Sequence, residues 1–540
     1  MDPIIQLTVI IGGTLGLAVL FGVYIARLIA YETRPLERTL SRIENGFYRV
    51  IGVDKNRQMT WREYFLAIML TNGLAFAFVF FVLIFQNSIP FLSSPSRSGF
   101  TVDLAFNTAI SFVTNTDLQH YLGDQHLTVF SQMVSLTFVM FVAPATGIAA
   151  SFAFIRAFIR KNFGLGNFYV DFTRVILTLL LPVAFFSSLL LMFLGVPQTL
   201  QSTVDVTTLE GKQQIIILGP VASLESIKEL GSNGGGYYGA NSAHPFENPN
   251  GLSNAYETML MLIIPAAFPI AYGKLVGKGR GVSILIAMLI GFGLLVAIGA
   301  VTESGPGALE TRFGSFNSVL FNIVSISTNT GATNSGIVGM SPNAVTSLLL
   351  AMFVQSIPGA DGTGMMTMIV YVILTLFIVG LMVGKTPEYM SMKISSRDIK
   401  LAVFIFLIHP ALILIPTALA FTTGNAQAIV GDRITPLSYT QVLYEYTSAA
   451  ANNGSDYFGS SANLPFWNWT TGIVMFLGRY VPLGLMIAIA GSFTVKDRKE
   501  VIEPIKTKGP LFITILLIMT FLLTALTFFP FLVIGPFSIN

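Results

Sequence analysis

Residues 231–249 read GSNGGGYYGANSAHPFENP and open with a small polar tetrapeptide, GSNG, directly after a short amphipathic stretch. Three other segments end in the same way. Their tetrapeptides are TNTD at residues 114–117, TNTG at 328–331 and ANNG at 451–454. The stretches before the four tetrapeptides are also alike, reading FNTAISFV, ASLESIKEL, FNSVLFNIVSIS and YTQVLYEYTSAA. Such self-similarity indicates an internal repeat.

Each of the four segments lies between two long apolar stretches. The order of span, short helix, polar loop and span therefore occurs four times, and one further span at each end of the set gives ten. The short helices cannot cross a bilayer, which requires about 20 residues. We therefore predict an all-α integral membrane protein in which four pore-loop repeats surround a pseudo-fourfold axis. The alternative is that the tetrapeptides are ordinary exterior turns.

The composition of the chain favours a protein solvated mainly by lipid. Of its 540 residues, 53% are hydrophobic and 11% are charged, whereas soluble domains have about 25% charged residues. The absence of cysteine excludes disulfides and thiolate metal sites, and the four histidines show no metal-ligand spacing. The predicted spans start near Ile4, Tyr64, Leu127, Val175, Tyr256, Val282, Val345, Leu401, Trp467 and Leu511.

The repeats also predict the organisation and the orientation of the chain. Most of the 30 basic residues lie in loops that follow odd-numbered spans, so we expect those loops to be cytoplasmic and both termini to be extracytoplasmic. The first apolar stretch lacks a basic leading region and a cleavage site, so we expect a retained helix. The predicted parts are 1–62 (first span and cytoplasmic loop), 63–165, 166–278, 279–392 and 393–496 (pore repeats 1 to 4) and 497–540 (last span).

The residue types of the tetrapeptides suit a cation filter. Non-helical backbone at membrane depth is tolerated where it lines a water-filled path, and rings of backbone carbonyls can replace the hydration shell of an ion. Gly234, Gly331 and Gly454 occupy equivalent positions, where glycine adopts a left-handed turn without steric cost. Asp117 stands there in the first repeat, and aspartate also tolerates this conformation. Its side chain either faces ions at the filter edge or anchors a neighbouring loop.

The short helices add an electrostatic preference. Their C-terminal ends are expected to point toward the centre of the membrane, where each carries about half a negative charge. Four such ends favour a cation over an anion. Glu225 and Glu445, in two of these helices, either strengthen this preference or serve as local hydrogen-bond partners.

Two features inside the apolar stretches are unusual. Residues 345–384 would form a helix about 60 Å long, twice the hydrocarbon thickness. The middle of this stretch reads SIPGADGTG and includes Asp361 and Gly362, so we expect a broken helix that is either a mobile gate or a static kink. Arg479 lies inside another span, where a charge is costly and commonly functional. It either repels the ion below the filter or forms a structural salt bridge.

These motifs together resemble the KdpA family, the potassium-translocating subunits of bacterial Kdp ATPases. The resemblance is carried by residues 231–249, by NNGS at 452–455 and by the broken span with PGADGTG, and it covers essentially the whole chain. It implies a fold of the potassium-transporter superfamily in the bacterial inner membrane. The implied partners are a P-type ATPase subunit (KdpB-like), KdpC-like and KdpF-like subunits and membrane lipid, with no nucleic acid.

The resemblance also implies the site residues. In the family, main-chain and side-chain oxygens of the four loops bind K⁺, which is the transported ion, and no organic cofactor is expected. Gln119 matches a position tied to affinity, and the broken span and Arg479 match a lateral exit toward the ATPase subunit. The third loop has Asn-Thr-Gly where Ser-Cys-Gly is familiar, and Asp117 replaces an expected asparagine. The implied K⁺ ligands are Asn115, Thr116, Ser232, Asn233, Gly234, Asn329, Thr330, Gly331, Asn452, Asn453 and Gly454.

Motifs for ATP chemistry are missing from the sequence. There is no DKTGT phosphorylation motif, and GKT at residues 384–386 lacks the first glycine of a P-loop because Val379 occupies its position. We therefore expect ATP and Mg²⁺ to bind only on a partner subunit, and the chain not to be an enzyme in isolation. Two alternatives remain: an autonomous channel or symporter with the same filter, and a membrane enzyme that uses His244 and Glu247.

Overall fold

The computed structural model describes residues 3–34, 37–92, 99–159, 164–303, 309–498 and 505–539. Arg97, Arg160, Lys161 and Lys499, which contribute to the predicted charge asymmetry of the loops, lie outside these ranges. The described residues are predominantly helical and include two small antiparallel hairpins.

The helices are α1 (Pro3–Ile29), α2 (Glu37–Val50), α3 (Trp61–Phe85), α4 (Val102–Val113), α5 (Gly123–His126), α6 (Thr137–Ile159), α7 (Phe168–Val175), α8 (Leu181–Phe193), α9 (Val221–Leu230), α10 (Gly251–Val276), α11 (Lys278–Thr302), α12 (Ser315–Ser327), α13 (Pro342–Val354), α14 (Thr363–Met382), α15 (Ser396–Thr422), α16 (Gln427–Val430), α17 (Pro436–Ala451), α18 (Pro465–Thr494) and α19 (Pro510–Ile534). The hairpins pair β1 (Thr203–Thr207) with β2 (Gln213–Ile217), and β3 (Glu388–Tyr389) with β4 (Met392–Lys393). Short π-helical turns, Ser131–Leu136 and Ile176–Leu180, extend α6 and join α7 to α8.

Ten segments of the described chain are long and apolar enough to cross a membrane, which confirms the predicted number. They are α1, α3, α6, α7 with α8, α10, α11, α14, α15, α18 and α19. The shorter helices α4, α9, α12 and α17 each lie between two spans, as expected for pore helices.

The spans of each repeat differ in burial. The second spans, α6, α10, α14 and α18, have 67 to 89% of their most apolar window buried. The first spans of the repeats, together with α1 and α19, have only 28 to 44% of that window buried. The second spans therefore form the interior of the molecule around the pore helices, and the other spans present apolar side chains to lipid.

The starts of several helices follow from local sequence. Thr60 and Glu63 form a capping box at α3, in which each side chain satisfies a backbone N–H of the other residue. Similar boxes precede α10, α15 and α17. Proline occupies the first turn of α13, α17, α18 and α19, where its missing N–H has no helical partner to lose.

The apolar stretch predicted to be broken forms two helices, as expected, but its membrane-length helix begins at Thr363 and not near Val345, because α13 is too short to cross a bilayer. α13 ends at Val354 and α14 begins at Thr363. Between them Gln355, Gly359 and Gly362 have φ angles of 53°, 77° and 72°, which are incompatible with a continuing right-handed helix. The N–H of Gly359 donates to the carbonyl of Ser327, the last residue of α12, at 2.9 Å. The break therefore lies directly beneath the third tetrapeptide.

Candidate ion filter

We name the four tetrapeptides loop 1 (114–117), loop 2 (231–234), loop 3 (328–331) and loop 4 (451–454). Each loop is held by the last turn of its pore helix. In loop 3, the N–H groups of Thr330 and Gly331 both donate to the carbonyl of Ser325, at 2.8 and 3.5 Å. Ser111 does the same for loop 1, and in loop 2 the carbonyl of Lys228 accepts from Asn233 at 2.9 Å. Because these N–H groups bond to the end of the pore helix, the carbonyl groups of the loop can point away from the helix.

Backbone conformation alternates along the loops. Their second residues, Asn115, Ser232, Asn329 and Asn452, all have φ between 53° and 61°. The third residues have negative φ, and such alternation turns successive carbonyls to one side of the chain. The fourth residues Asp117, Gly331 and Gly454 are again left-handed, with φ of 55°, 84° and 99°. The left-handed conformation expected for Asp117 is thus confirmed.

Gly234 corrects the prediction for the fourth positions, because its φ is not positive. Glycine is required at position 234 for a different reason, which is the close approach of the other loops. A methyl group on Gly234 would lie 2.6 Å from the carbonyl oxygen of Thr330, 2.9 Å from that of Thr116 and 3.1 Å from that of Asn453. Three loops therefore direct carbonyl oxygens at one point on the fourth, which is the convergence that the pseudo-fourfold arrangement predicts. The exterior-turn alternative is wrong for these described loops.

The carbonyl of Gly234 has a protein partner. It accepts a hydrogen bond from the side-chain amide of Asn241 at 2.6 Å. Loop 2 is thus braced by the segment that follows it in the chain.

Asparagine side chains connect neighbouring loops. The Asn115 amide donates to the carbonyl of Ser232 at 2.5 Å, and the Asn329 amide donates to that of Ala451 at 3.1 Å. The Asn452 amide donates to the hydroxyl of Thr116 at 2.9 Å, which closes the contact between loops 4 and 1. Six buried side-chain oxygens of the loops have no hydrogen-bond partner in the described part of the chain: Asn115 Oδ1, both carboxylate oxygens of Asp117, Ser232 Oγ, Asn233 Oδ1 and Asn329 Oδ1. These are the side-chain atoms left available to an ion.

An outer vestibule lies above the loops and carries acidic groups. Asp117 and Asp456 both line it, together with the glycines at the fourth positions of loops 2, 3 and 4. Asp117 also lies against the residue that follows loop 2. A Cβ placed on Gly235 would be 3.2 Å from the Cβ of Asp117. Both expectations for Asp117, a filter-edge position and contact with a neighbouring loop, are thus compatible with its placement. The pKa of Asp456 is raised to about 7, first by burial and second by the Glu445 carboxylate.

Gln119 joins the first repeat to the second. Its side-chain amide accepts from the N–H of Gly236 and donates to the carbonyl of the same residue, both at 3.1 Å. This double hydrogen bond fixes the chain just beyond loop 2, so Gln119 contacts the backbone that supports the filter.

A cavity lies beneath the loops, on the side of the broken span. It is lined by Asn329, Asn452, Thr363, His409, Phe353 and Arg479. The Arg479 guanidinium donates to the carbonyl of Ala143 at 3.3 Å, and no carboxylate within the described residues lies within 4.0 Å of it. The salt bridge considered for Arg479 is therefore not formed there. Asp361 is buried in the break, and neither of its oxygens has a hydrogen-bond partner among the described residues.

The remaining candidate carboxylates have local partners. Glu445 lies 3.3 Å from the imidazole of His120, and Glu225 lies 2.7 Å from the ammonium of Lys228. Glu247 accepts from the N–H of Tyr238, on whose ring His244 stacks with centroids 3.8 Å apart. Glu247 and His244 therefore brace the chain after loop 2.

Lys228 is a fully buried charged residue behind loop 2 that the repeat pattern did not single out. Its position, five residues before the third residue of the loop, is occupied by Ser111, Ser325 and Ser448 in the other repeats. A lysine at this position between Glu225 and Glu229 was the available signal, since a buried lysine requires carboxylate partners.

Ten apolar spans and four pore loops whose carbonyls converge define a pore-loop membrane protein. Residues 8–539 match the family model described as KdpA, potassium-transporting ATPase A subunit. A potassium-transporting ATPase potassium-binding subunit of Caldanaerobacter subterraneus subsp. tengcongensis is 39% identical over 538 residues, which cover 96% of this chain and 95% of the relative. The chain therefore belongs to the KdpA family, which confirms the resemblance found in its motifs.

Proposed function

We propose that the chain binds extracellular K⁺ between loops 1 to 4 and conducts it across the bacterial inner membrane as a subunit of an ATP-driven uptake complex. The observation that carries this proposal is the convergence of the carbonyl oxygens of Thr116, Thr330 and Asn453 on Gly234. Such oxygens replace the water that K⁺ loses on entering a filter. The proposed ligands are Asn115, Thr116, Ser232, Asn233, Asn329, Thr330, Gly331, Asn452, Asn453 and Gly454, with the glycine at 234 admitting their approach.

The electrostatics of the site support a cation. The pore helices α4, α9, α12 and α17 end at or directly before their loops, so each contributes about half a negative charge of helix dipole near the axis. Asp117 and Asp456 add carboxyl groups to the outer vestibule. A cation is therefore attracted before it loses its water.

The cavity beneath the loops supports a controlled exit rather than free conduction. Arg479 places a positive charge there without a carboxylate partner within 4.0 Å among the described residues. In this proposal its charge opposes straight passage of the ion, and residues 355–362, with Gly362 as a hinge and Asp361 beside the path, act as the gate. A buried, unpaired guanidinium is costly, which favours a functional reason for its presence.

The energy source is proposed to lie on a partner. The family is described as the A subunit of a potassium-transporting ATPase, and this sequence has no phosphorylation or P-loop motif. A P-type ATPase subunit would bind ATP and Mg²⁺, with KdpC-like and KdpF-like subunits completing the complex. Both termini are proposed to be extracytoplasmic, from the distribution of basic residues.

The substitution Gly234→Ser in the full complex tests the filter. Its added side chain would crowd three carbonyl oxygens, so we expect at least a tenfold rise in the K⁺ concentration that half-activates ATP hydrolysis, about 1.4 kcal/mol. Rubidium uptake by proteoliposomes measures the accompanying loss of selectivity. The matched control is Gly293→Ser in α11, where a Cβ has nothing within 4 Å. Unchanged K⁺ activation and selectivity in Gly234→Ser would disprove the assigned filter.

Proteoliposomes that contain this chain alone distinguish a pump subunit from an autonomous channel. We expect no sustained downhill K⁺ flux, because Arg479 lines the cavity below the filter. Flux comparable to that of a channel, without any ATPase subunit, would favour the autonomous alternative.

A further inference from the structure

A group of charged side chains is buried behind loop 2 and is not part of the ion path described above. Lys228 on α9 is fully buried, and its ammonium lies 2.7 Å from Glu225, 2.8 Å from Glu247 and 3.4 Å from Glu229. All three carboxylates are fully buried as well. One positive charge is thus surrounded by three negative ones.

A fourth carboxylate enters this group from another helix. Glu257 on α10 is fully buried, and neither of its oxygens has a hydrogen-bond partner in the part of the chain that the structure describes. One oxygen each of Glu225, Glu229 and Glu257 lie within 4.8 Å of one another. Glu257 is therefore directed at the two α9 carboxylates without being paired, and Glu229 Oε2 also has no partner among the described residues.

The charges of this group do not balance. Four carboxylates and one ammonium leave three negative charges away from water, and unpaired buried charges cost several kcal/mol each. Arg312 does not supply the missing charge, since its guanidinium pairs with Glu310 at 3.1 Å and donates to the carbonyls of Asn248 and Ala243. Protons or a further cation must therefore balance these charges at the converging oxygens.

We propose that Glu225, Glu229 and Glu257 bind one hard divalent cation of the size of Ca²⁺, which fixes α9 to α10 behind loop 2. Carboxylate oxygens are the ligands such ions prefer, and oxygens on opposite sides of one Ca²⁺ are about 4.6–5.2 Å apart. The three oxygens lie within 4.8 Å of one another, so one Ca²⁺ can contact all of them without movement of the helices. A divalent ion leaves one negative charge in the group, whereas K⁺ would leave two.

Elemental analysis of the purified complex tests this site. After preparation in potassium buffer with micromolar Ca²⁺ and removal of loosely bound ions, we expect about one Ca²⁺ for each copy of the chain. The variants Glu257→Gln and Glu229→Gln are each expected to retain less than a tenth of it, because each removes one of three charged ligands. The control variant is Asp398→Asn, a buried carboxylate that pairs with Lys496 and lies in another part of the fold. It is expected to retain the full Ca²⁺ content.

Three results would overturn the proposal. One is the absence of any divalent ion from the wild-type complex, together with an infrared band of a protonated carboxyl that disappears in Glu257→Gln; a retained proton then balances the charge. The second is Ca²⁺ that persists unchanged in both glutamine variants, and the third is K⁺ at the site in place of a divalent ion. The wild-type measurement does not depend on how the variants fold, and metal content is read without any transport assay.

Discussion

Loops 2 and 3 perform the same backbone task on different scaffolds. In loop 3 the carbonyl of Ser325 accepts the loop N–H groups, and the Ser325 hydroxyl has no partner in the described chain. In loop 2 the equivalent residue is Lys228, whose carbonyl accepts from Asn233 while its side chain enters a group of buried carboxylates. A filter loop therefore requires the helix-end carbonyl, whereas the side chain at that position can form either a neutral or a charged support.

The two loops also differ at their glycines. Gly331 has a φ of 84°, whereas Gly234 is not left-handed. The carbonyl of Gly234 is held by Asn241, which belongs to the long segment after loop 2. The equivalent positions in loops 2 and 3 therefore share glycine for different reasons, which are steric alone in loop 2 and both conformational and steric in loop 3.

Removing the charge of the loop 2 scaffold should have the largest effect. In Lys228→Met the buried carboxylates lose their ammonium, so we expect a loss of about 3–5 kcal/mol in the free energy of unfolding. In Ser325→Ala only an unpartnered hydroxyl is lost, and the change should be below about 0.5 kcal/mol. Thermal unfolding of the purified proteins in detergent measures both. Equal effects of the two substitutions would contradict the contrast between a charged and a neutral scaffold.

The glycines give the next largest difference. Gly331→Ala combines a left-handed backbone with a collision between the new methyl and the Asn453 carbonyl, so we expect about a hundredfold loss of K⁺ affinity, or about 2.7 kcal/mol. Gly234→Ala adds only crowding at 2.6 Å, and we expect about a tenfold loss. K⁺ activation of ATP hydrolysis by each complex measures the ratio. A larger loss in Gly234→Ala would show that conformation is not what distinguishes the two loops.

The contrast between loops 2 and 3 also shows which features of the fold and of the filter can be predicted from the sequence. Four repeats, ten spans and the break near Gly362 were predictable because hydropathy, repeat spacing and helix breakers are local signals. The left-handed conformation of Asp117 was predictable for the same reason.

Features that depend on contacts between repeats were not predictable. The carbonyls that crowd Gly234 come from three other loops, and the buried partners of Lys228 include Glu247 from the segment beyond loop 2. The hydropathy of the interior spans overlaps that of the lipid-facing spans, so hydropathy alone did not identify the buried second spans. Neither the absence of an ion pair at Arg479 within the described chain nor the free oxygens of Asp361 could be foreseen from their spacing.

The contact between loops 3 and 4 should have a moderate effect. Asn329→Gly keeps the left-handed backbone but removes the hydrogen bond to the Ala451 carbonyl, so we expect about a fivefold loss of K⁺ affinity, near 1 kcal/mol. Asn329→Ala adds the strain of a left-handed alanine, about 1 kcal/mol more. Calorimetric titration of the complex with K⁺ separates the two. Identical affinities in both variants would mean that loop 3 does not retain its left-handed residue.

The smallest effect is expected at a side-chain hydroxyl, and it decides which oxygens of loop 3 face the ion. The hydroxyl of Thr330 lies 2.8 Å from that of Thr328, whereas the Thr330 carbonyl is directed at Gly234. Thr330→Val removes the hydroxyl and keeps the carbonyl, so K⁺ affinity should fall less than about threefold, under 0.7 kcal/mol. The same titration measures it. A loss above tenfold would place the hydroxyl among the ligands, and the carbonyl geometry would then be an incomplete description of the loop.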